Sequence, residues 1–315
     1  MEKKIYDSLK AAFNKRAPLL KVTNAVRLVN GLGDKLPGLV LEQYDRHVVA
    51  YLFDRLWLKE KADLAAFVKE RLSAHYFIVK ERFSSKALKD DAINARVLIS
   101  EEESKTTVTE NGLQFEIDLN DGLNSGLFLD MRANRQAVAT LAKGLRVFNG
   151  FAYTCSFGVY CRAAGAGRVV NLDISRKALD RGLANYTLNN LEVGESEFIR
   201  ADAAFYLARA VKKDNRFDLI ILDPPSFARH EGKAFSVKKD LPQLLDSAVG
   251  VLNPGGIMFV SSNFSSLSPR ELETMLKKAG GKKIRSIEHR GQDVDFPGSG
   301  KMAQSYLAAV LVRIN

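Results

Sequence analysis

From about Asn120 onward, short apolar runs alternate with amphipathic stretches, and this alternation limits what the 315-residue chain can fold into more than any other feature. Strand-like runs lie at Arg146–Phe148, Val169–Asp173, Glu197–Ala201, Asp218–Leu222, Ile257–Ser261, Lys283–His289 and Tyr306–Ile314. Between them, Met131–Lys143, Phe157–Ala164, Arg176–Asn189, Ala203–Lys213, Lys238–Leu252 and Pro269–Ala279 carry helical spacing. Strands that alternate with helices predict an α/β fold whose mostly parallel sheet is covered on both faces. Ligands of such sheets bind beyond the carboxyl ends of the strands. The chemistry is therefore sought where each strand gives way to a loop.

The first of these strands opens into Asn149-Gly150-Phe151-Ala152-Tyr153-Thr154-Cys155-Ser156-Phe157-Gly158. Small residues let backbone approach a ligand closely. The segment is not GxGxxG, so a pyrophosphate-binding loop is not indicated, and a plain βα turn is the competing reading. The second strand ends in Asp173, with Ile174 and Ser175 behind it. A carboxylate there can accept both hydroxyls of a ribose, while Ser175 caps the next helix. The third ends in Arg200-Ala201-Asp202-Ala203, where Asp202 either caps a helix or meets an adenine amino group. Two acids at successive strand ends without a phosphate loop suggest a nucleoside ligand lacking phosphates, such as S-adenosylmethionine.

The fourth strand carries the most specific signal. Its apolar run leads into Asp223-Pro224-Pro225-Ser226-Phe227. Two prolines donate no backbone hydrogen bonds, but their carbonyls and Asp223 still accept. Such a cluster can grip an amino group or the edge of a base, with Phe227 stacked on it. The fifth strand runs into Ser261-Ser262-Asn263-Phe264, a polar edge without Cys or His. Ahead of the first strand, Arg132 and Arg135 stand one helical turn apart. They suit a carboxylate or a phosphate, or alternatively pair with acids such as Asp130.

Ahead of this region, residues 1–21 read as a basic amphipathic helical segment and residues 22–119 as a small α+β domain holding the lone Trp57, expected as a packing anchor. Residues 120–315 form the larger domain. Lys+Arg number 47 against 37 Asp+Glu, a net charge of +10, which suits a polyanionic partner. Basic residues gather at Lys80, Arg82, Lys86 and Lys89, at Arg229, His230, Lys233, Lys238 and Lys239, and at Lys277, Lys278, Lys282, Lys283 and Arg285. The second group adjoins the DPPSF edge, so Phe227, Arg229, Lys233 and Lys238 are the expected substrate-binding residues. Two Cys and four scattered His argue against a disulfide scaffold or a metal centre, and no run reaches membrane-spanning length. A cytoplasmic protein without membrane or metal partners is expected.

GLFLDMRANR, VFNGFAYTCSFGV, NLDIS, RADA and LDPPSF stand in the order found in class I S-adenosylmethionine-dependent methyltransferases. Over roughly residues 22–315 the chain resembles the large-subunit ribosomal RNA methyltransferases of the RlmI and RlmK/L type. The resemblance implies a Rossmann-like seven-stranded sheet with its last strand antiparallel, S-adenosyl-L-methionine as cofactor and ribosomal RNA as partner. It also implies that Phe151, Ala152, Tyr153, Asp173, Ile174, Asp202 and Ala203 line the cofactor pocket. Arg132 would lie near the methionine end, and Asp223 between sulfonium and substrate. Two departures stand out. The RlmI branch begins with a PUA RNA-binding domain, whereas about twenty residues precede the matching region here. Cytosine C5 methylation needs a thiolate, which in 5-methylcytosine members follows the fifth strand, and Asn263 stands at that position. Direct transfer to a purine nitrogen is therefore expected, with Asp223, the Pro224 carbonyl and Asn263 orienting the base. Cytosine C5 transfer and a non-catalytic RNA-binding or ribosome assembly factor are the alternatives.

Overall fold

The computed structural model describes residues 1–83, 95–122, 124–225, 227–230, 233–264, 266–298 and 307–315, excluding the side chains of residues 227–230, 233–238 and Lys282. The chain forms two compact units. One is Met1–Arg132 with Asp293–Gln304, the other Ala133–Gln292 with Ser305–Asn315. This differs from the expected division at residue 120, and from an unbroken second domain.

In the first unit, helix α1 (Lys3–Arg16) lays Leu9, Ala12 and Arg16 inward, and its lysines face outward. Strands β1 (Ala25–Asn30), β2 (Leu39–Tyr44) and β3 (His47–Leu52) pair antiparallel. Helix α2 (Lys61–Leu72) then crosses over, so that β4 (Tyr76–Glu81) runs parallel to β3. Strand β5 (Ala95–Ser100) closes a five-stranded sheet in the order β1-β2-β3-β4-β5. A hairpin of β6 (Lys105–Glu110) and β7 (Leu113–Asp118) follows. Leu64, Phe67 and Val68 of α2 pack with Leu9, Leu39, Val48 and Phe77 in one core. Trp57 is buried as expected, its indole N–H donating to the Pro37 carbonyl at 2.8 Å.

Two basic residues expected at the surface lie inside this unit. Lys80 is 3% exposed, and its ammonium donates to the Gly122 carbonyl at 2.7 Å. Arg82 is buried with its guanidinium 5.6 Å from the Tyr51 ring. Strand β4 is buried on both faces, so Lys80, which shares a face with Ile78, is buried although Phe77 and Val79 take the core face. Lys86 and Lys89 lie outside the described residues.

The first unit also claims the segment beginning at Asp293. Arg16 reaches the Asp34 carboxylate at 2.6 Å and the Asp295 carbonyl at 3.0 Å. The Arg27 amide donates to the Asp295 carboxylate at 2.9 Å, and the Arg27 guanidinium lies 4.1 Å over the Phe296 ring. Gly33 faces Pro297 so closely that an added Cβ would fall 2.0 Å from the Pro297 carbonyl oxygen.

The second unit follows the expected alternation. In chain order it comprises α3 (Arg132–Ala139), β8 (Arg146–Gly150), α4 (Ser156–Ala163), β9 (Arg168–Asp173), α5 (Arg176–Leu188), β10 (Phe198–Arg200), α6 (Ala203–Lys212) and β11 (Phe217–Leu222). The hairpin β12 (Phe227–His230) and β13 (Lys233–Ser236) leads into α7 (Val237–Gly250), β14 (Leu252–Ser262), α8 (Pro269–Gly280), β15 (Ile284–Arg290) and β16 (Ala308–Ile314). The seven-stranded sheet has the order β10-β9-β8-β11-β14-β16-β15. β8, β9, β10, β11 and β14 run parallel, and the last strand, β16, is antiparallel to both neighbours. Apolar residues of β8, β11, β14 and β16 pack with α6, α7 and α8 in a core that includes Phe148, Phe217, Leu244, Leu272 and Val310. Covering both faces explains why these strands read as continuous apolar runs.

Candidate functional site

The strand register brings the expected residues to one edge of the second unit. Gly150 pairs with Leu172 and with Leu222, Asp173 with Arg200, and Leu222 with Val260. At the next level Phe151, Asp173, Arg200, Asp223 and Ser261 stand side by side, where β8, β9, β10 and β11 end and β14 runs one residue further. The strand order reverses between β8 and β11, where a crevice opens in sheets of this kind.

The loop after β8 is the most constrained backbone of this edge. Phe151, Tyr153 and Cys155 take φ of 58°, 49° and 59°, three left-handed non-glycine residues within five. Such conformations cost free energy and gather at binding sites, where surrounding contacts hold them. Asp173 supplies part of that hold. Its Oδ2 accepts the Tyr153 amide at 2.9 Å and its Oδ1 the Ser175 amide at 2.8 Å. Each oxygen keeps a second lone pair. Asp202 is exposed and caps α6, accepting the Phe205 amide at 2.8 Å. Capping uses one oxygen, so the cap and ligand readings coexist. Ser175 caps α5 through the Ala178 amide, as expected.

Asp223 is half-buried, and its Oδ1 accepts the Ser261 hydroxyl at 2.7 Å. That contact crosses from the end of β11 to β14. Pro224 is buried, while Pro225 and Asn263 are exposed. The backbone of Phe227, Arg229 and Lys233 lies in the β12–β13 hairpin and that of Lys238 in α7. Their side chains are outside the described residues.

Arg132 is paired with acids. It belongs to the first unit and its side chain is 3% exposed. Its guanidinium contacts Asp293 at 2.8 Å, Asp295 at 3.3 Å and Glu110 at 3.4 Å, and donates to the Ala25 carbonyl at 2.7 Å. Burial works against its charge, but Asp295, Glu110 and Asp293 together hold its pKa above the ordinary value. This is the acid-pairing alternative, realised with acids other than Asp130. Arg135 is 1% exposed, 5.8 Å from the Tyr160 ring. An open cavity of about 510 Å³ in the first unit, bounded by residues such as Tyr76, Glu102 and Asn120, holds none of the expected site residues.

Both cysteines are buried beneath the edge. Cys155 Sγ leaves no room on α5, since a Cβ on Gly182 would lie 2.4 Å from it. Burial pushes the Cys155 thiol well above its ordinary range and the Cys161 thiol up to about 12. Residues not singled out in the sequence support the loop from below. Asn149 donates to Asn171 at 2.9 Å, and Asn171 to the Tyr186 hydroxyl at 3.0 Å, all three buried. Asn185 donates to the Thr154 carbonyl at 3.0 Å. Asn149 and Asn171 interrupt otherwise apolar strands, which is the one signal that marks them.

A parallel sheet with an antiparallel last strand, carboxylates at successive strand ends and a strained loop without a phosphate fingerprint place the second unit among the class I methyltransferase folds. Residues 74–313 match the model of the S-adenosylmethionine-dependent methyltransferase family. The chain belongs to that family, and its cofactor is S-adenosylmethionine. Ribosomal RNA large subunit methyltransferase I of Photobacterium profundum is 32% identical over 279 residues, covering 86% of this chain and 69% of that protein. The ribosomal RNA large subunit methyltransferase of Deinococcus radiodurans is 31% identical over 306 residues, covering 93% and 73%. The crystal structure of SMU.776 complexed with SAH matches with a TM-score of 0.87 at 25% identity, covering 98% of this chain and 80% of that one.

Proposed function

We propose that this methyltransferase acts on RNA, with large-subunit ribosomal RNA as substrate, and transfers the methyl group directly to a purine nitrogen. The names of its relatives support the RNA class. The observation that carries the atom is the state of the two cysteines, the only ones in the chain. C5 methylation of cytosine requires a thiolate to attack C6, and thiol reactivity follows ionisation and access. Cys155 and Cys161 have neither, being fully buried with raised pKa values.

Direct transfer asks the protein chiefly to position its reactants and to exclude water. The residues present suit an adenosine-bearing cofactor. Asp173 would accept ribose hydroxyls with its remaining lone pairs, and Asp202 the adenine amino group. Phe151, Ala152, Tyr153, Ile174 and Ala203 would wall the pocket. Bound S-adenosylmethionine supplies an electrophilic methyl group on a sulfonium centre. Asp223, steadied by the Ser261 hydroxyl, would accept an N–H of the target base, and the Pro224 carbonyl a second. Neither proline offers a competing N–H. Asn263 would orient the base from the end of β14, and Phe227, Arg229, Lys233 and Lys238 would contact the substrate.

Mass mapping of ribosomal RNA nucleosides from cells with and without the gene tests this reading. The expected result is one missing methylated purine, and a missing 5-methylcytosine would overturn it. Replacing both cysteines by alanine is expected to leave kcat within about threefold. A loss on the scale of a removed nucleophile, about 10⁴-fold or more, would restore the covalent route.

A further inference from the structure

Some exposed cations of the second unit are paired with acids. Arg176 meets Asp180 at 2.9 Å, Arg216 meets Asp214 at 2.6 Å, and Lys277 meets Glu273 at 2.5 Å. The edge where the parallel strands begin, opposite the candidate site, gathers six that are not. Lys143 precedes β8, Lys212 and Lys213 precede β11, Lys278 ends α8, Lys283 precedes β15, and Arg285 lies at its start. All six are exposed, and among the described residues none has an acidic partner within 4.0 Å.

Backbone contacts hold these positions along one edge. The Gly144 amide bonds the Gly165 carbonyl, next to the start of β9. The Phe217 amide bonds the Val251 carbonyl, joining the starts of β11 and β14. The Asn315 amide bonds the Lys283 carbonyl, joining the end of antiparallel β16 to β15. At about 4.8 Å per strand, the row from β8 to β15 spans roughly 20 Å, the reach of several nucleotides. Lysines at helix C-termini are ordinarily explained by the helix dipole. That accounts for Lys212, Lys213 and Lys278. It does not account for Lys283 and Arg285 outside any α-helix, or for Lys143, which lies beyond the end of α3.

We propose that this edge is a second RNA-contact surface, gripping phosphates of the substrate's body while the opposite edge holds the target base. The proposal rests on the RNA reading above. Unpaired lysines spaced along a sheet edge match a phosphodiester chain, whose contacts carry affinity without sequence information. Each phosphate neutralised also releases counterions, which makes binding salt-dependent.

The test compares the full chain with a Lys143→Gln/Lys212→Gln/Lys213→Gln/Lys283→Gln variant. Its readouts are filter binding of a full-length large-subunit ribosomal RNA transcript across salt concentrations, and kinetics with labelled S-adenosylmethionine. The variant is expected to flatten the slope of log affinity against log salt by about three, at ~0.7–0.9 per phosphate contact. KM for the transcript should rise tenfold or more, while kcat and cofactor affinity change less than about twofold. The matching Lys→Arg variant should retain wild-type affinity, which separates charge from packing. An unchanged slope and KM in a folded, active Gln variant would overturn the surface and leave the RNA reading intact. A wild-type chain that neither binds nor methylates the transcript would overturn both.

Discussion

At the scale of single residues, Asp173 and Asp223 show how one residue type at two strand ends of one edge meets different partners. Asp173 spends both oxygens on backbone amides of the loop it stabilises, Tyr153 and Ser175. Asp223 instead accepts from a side chain, the Ser261 hydroxyl. The two should therefore fail differently. Asp173→Ala removes a charged acceptor from two amides and from any ribose hydroxyl. Hydrogen bonds to charged groups contribute about 1.5–3 kcal/mol, so cofactor affinity is expected to fall roughly 10- to 100-fold by calorimetry. Asp223→Asn keeps the shape and loses the charge. Its cofactor affinity should stay within about threefold, while kcat falls by roughly 10²-fold or more, the scale for one lost electrostatic contact to reacting groups. Equal losses of affinity in both variants would mean that Asp223 serves the cofactor rather than the base.

At the scale of elements, the second unit was largely legible because each element answers to a local rule. Buried parallel strands need unbroken apolar runs, and the helices between them need one apolar face. The expected strands and helices match those observed to within a few residues, apart from longer β14 and a shorter α3. The first unit was less legible. β6 reads Lys-Thr-Thr-Val-Thr-Glu with a single aliphatic residue, and β5 alternates weakly because it lies at an edge and is half-exposed. The site edge could be read from Asp173, Asp202 and Asp223, but the support beneath it could not, since it depends on how α4 meets β9. There Gly158 lets the helix approach, and an added Cβ would lie 2.1 Å from Asn171 Oδ1 and 2.9 Å from the Tyr186 hydroxyl. Gly158→Ala would displace the Asn149–Asn171–Tyr186 chain. Overpacking of this kind costs about 1–3 kcal/mol, and more if buried amides lose their partners. A lower urea midpoint together with weaker cofactor binding is expected. An unchanged midpoint would show that α4 shifts freely.

At the scale of the whole molecule, the chain returns to its first unit after building most of the second, and charge decides the consequence. The acids that pair with Arg132 could not be named from sequence because Asp293 and Asp295 lie more than 160 residues downstream. In the structure one buried guanidinium faces three carboxylates, Glu110, Asp293 and Asp295. Burial raises the Asp295 pKa, and the attraction of Arg132 offsets only part of that rise. An acid whose pKa is raised by folding binds its proton more tightly in the native state. Its contribution to stability is thus complete below the unfolded carboxylate pKa and declines as pH rises through the folded value. The ionised pair is then not a net source of stability, in keeping with the cost of desolvating two charges. Two substitutions should diverge. Arg132→Met strips two buried acids, Glu110 and Asp295, and the half-buried Asp293 of their cation, and is expected to cost about 3–5 kcal/mol in urea unfolding at neutral pH. Asp295→Asn keeps an acceptor for the Arg27 amide and removes an excess negative charge, so at neutral pH it should be close to neutral or stabilising. The gap between Asp295→Asn and the parent chain should close as pH falls and Asp295 takes up its proton. A substitution at Asp295 that costs as much as the one at Arg132, at every pH, would mean that the carboxylate charge itself anchors the returning segment.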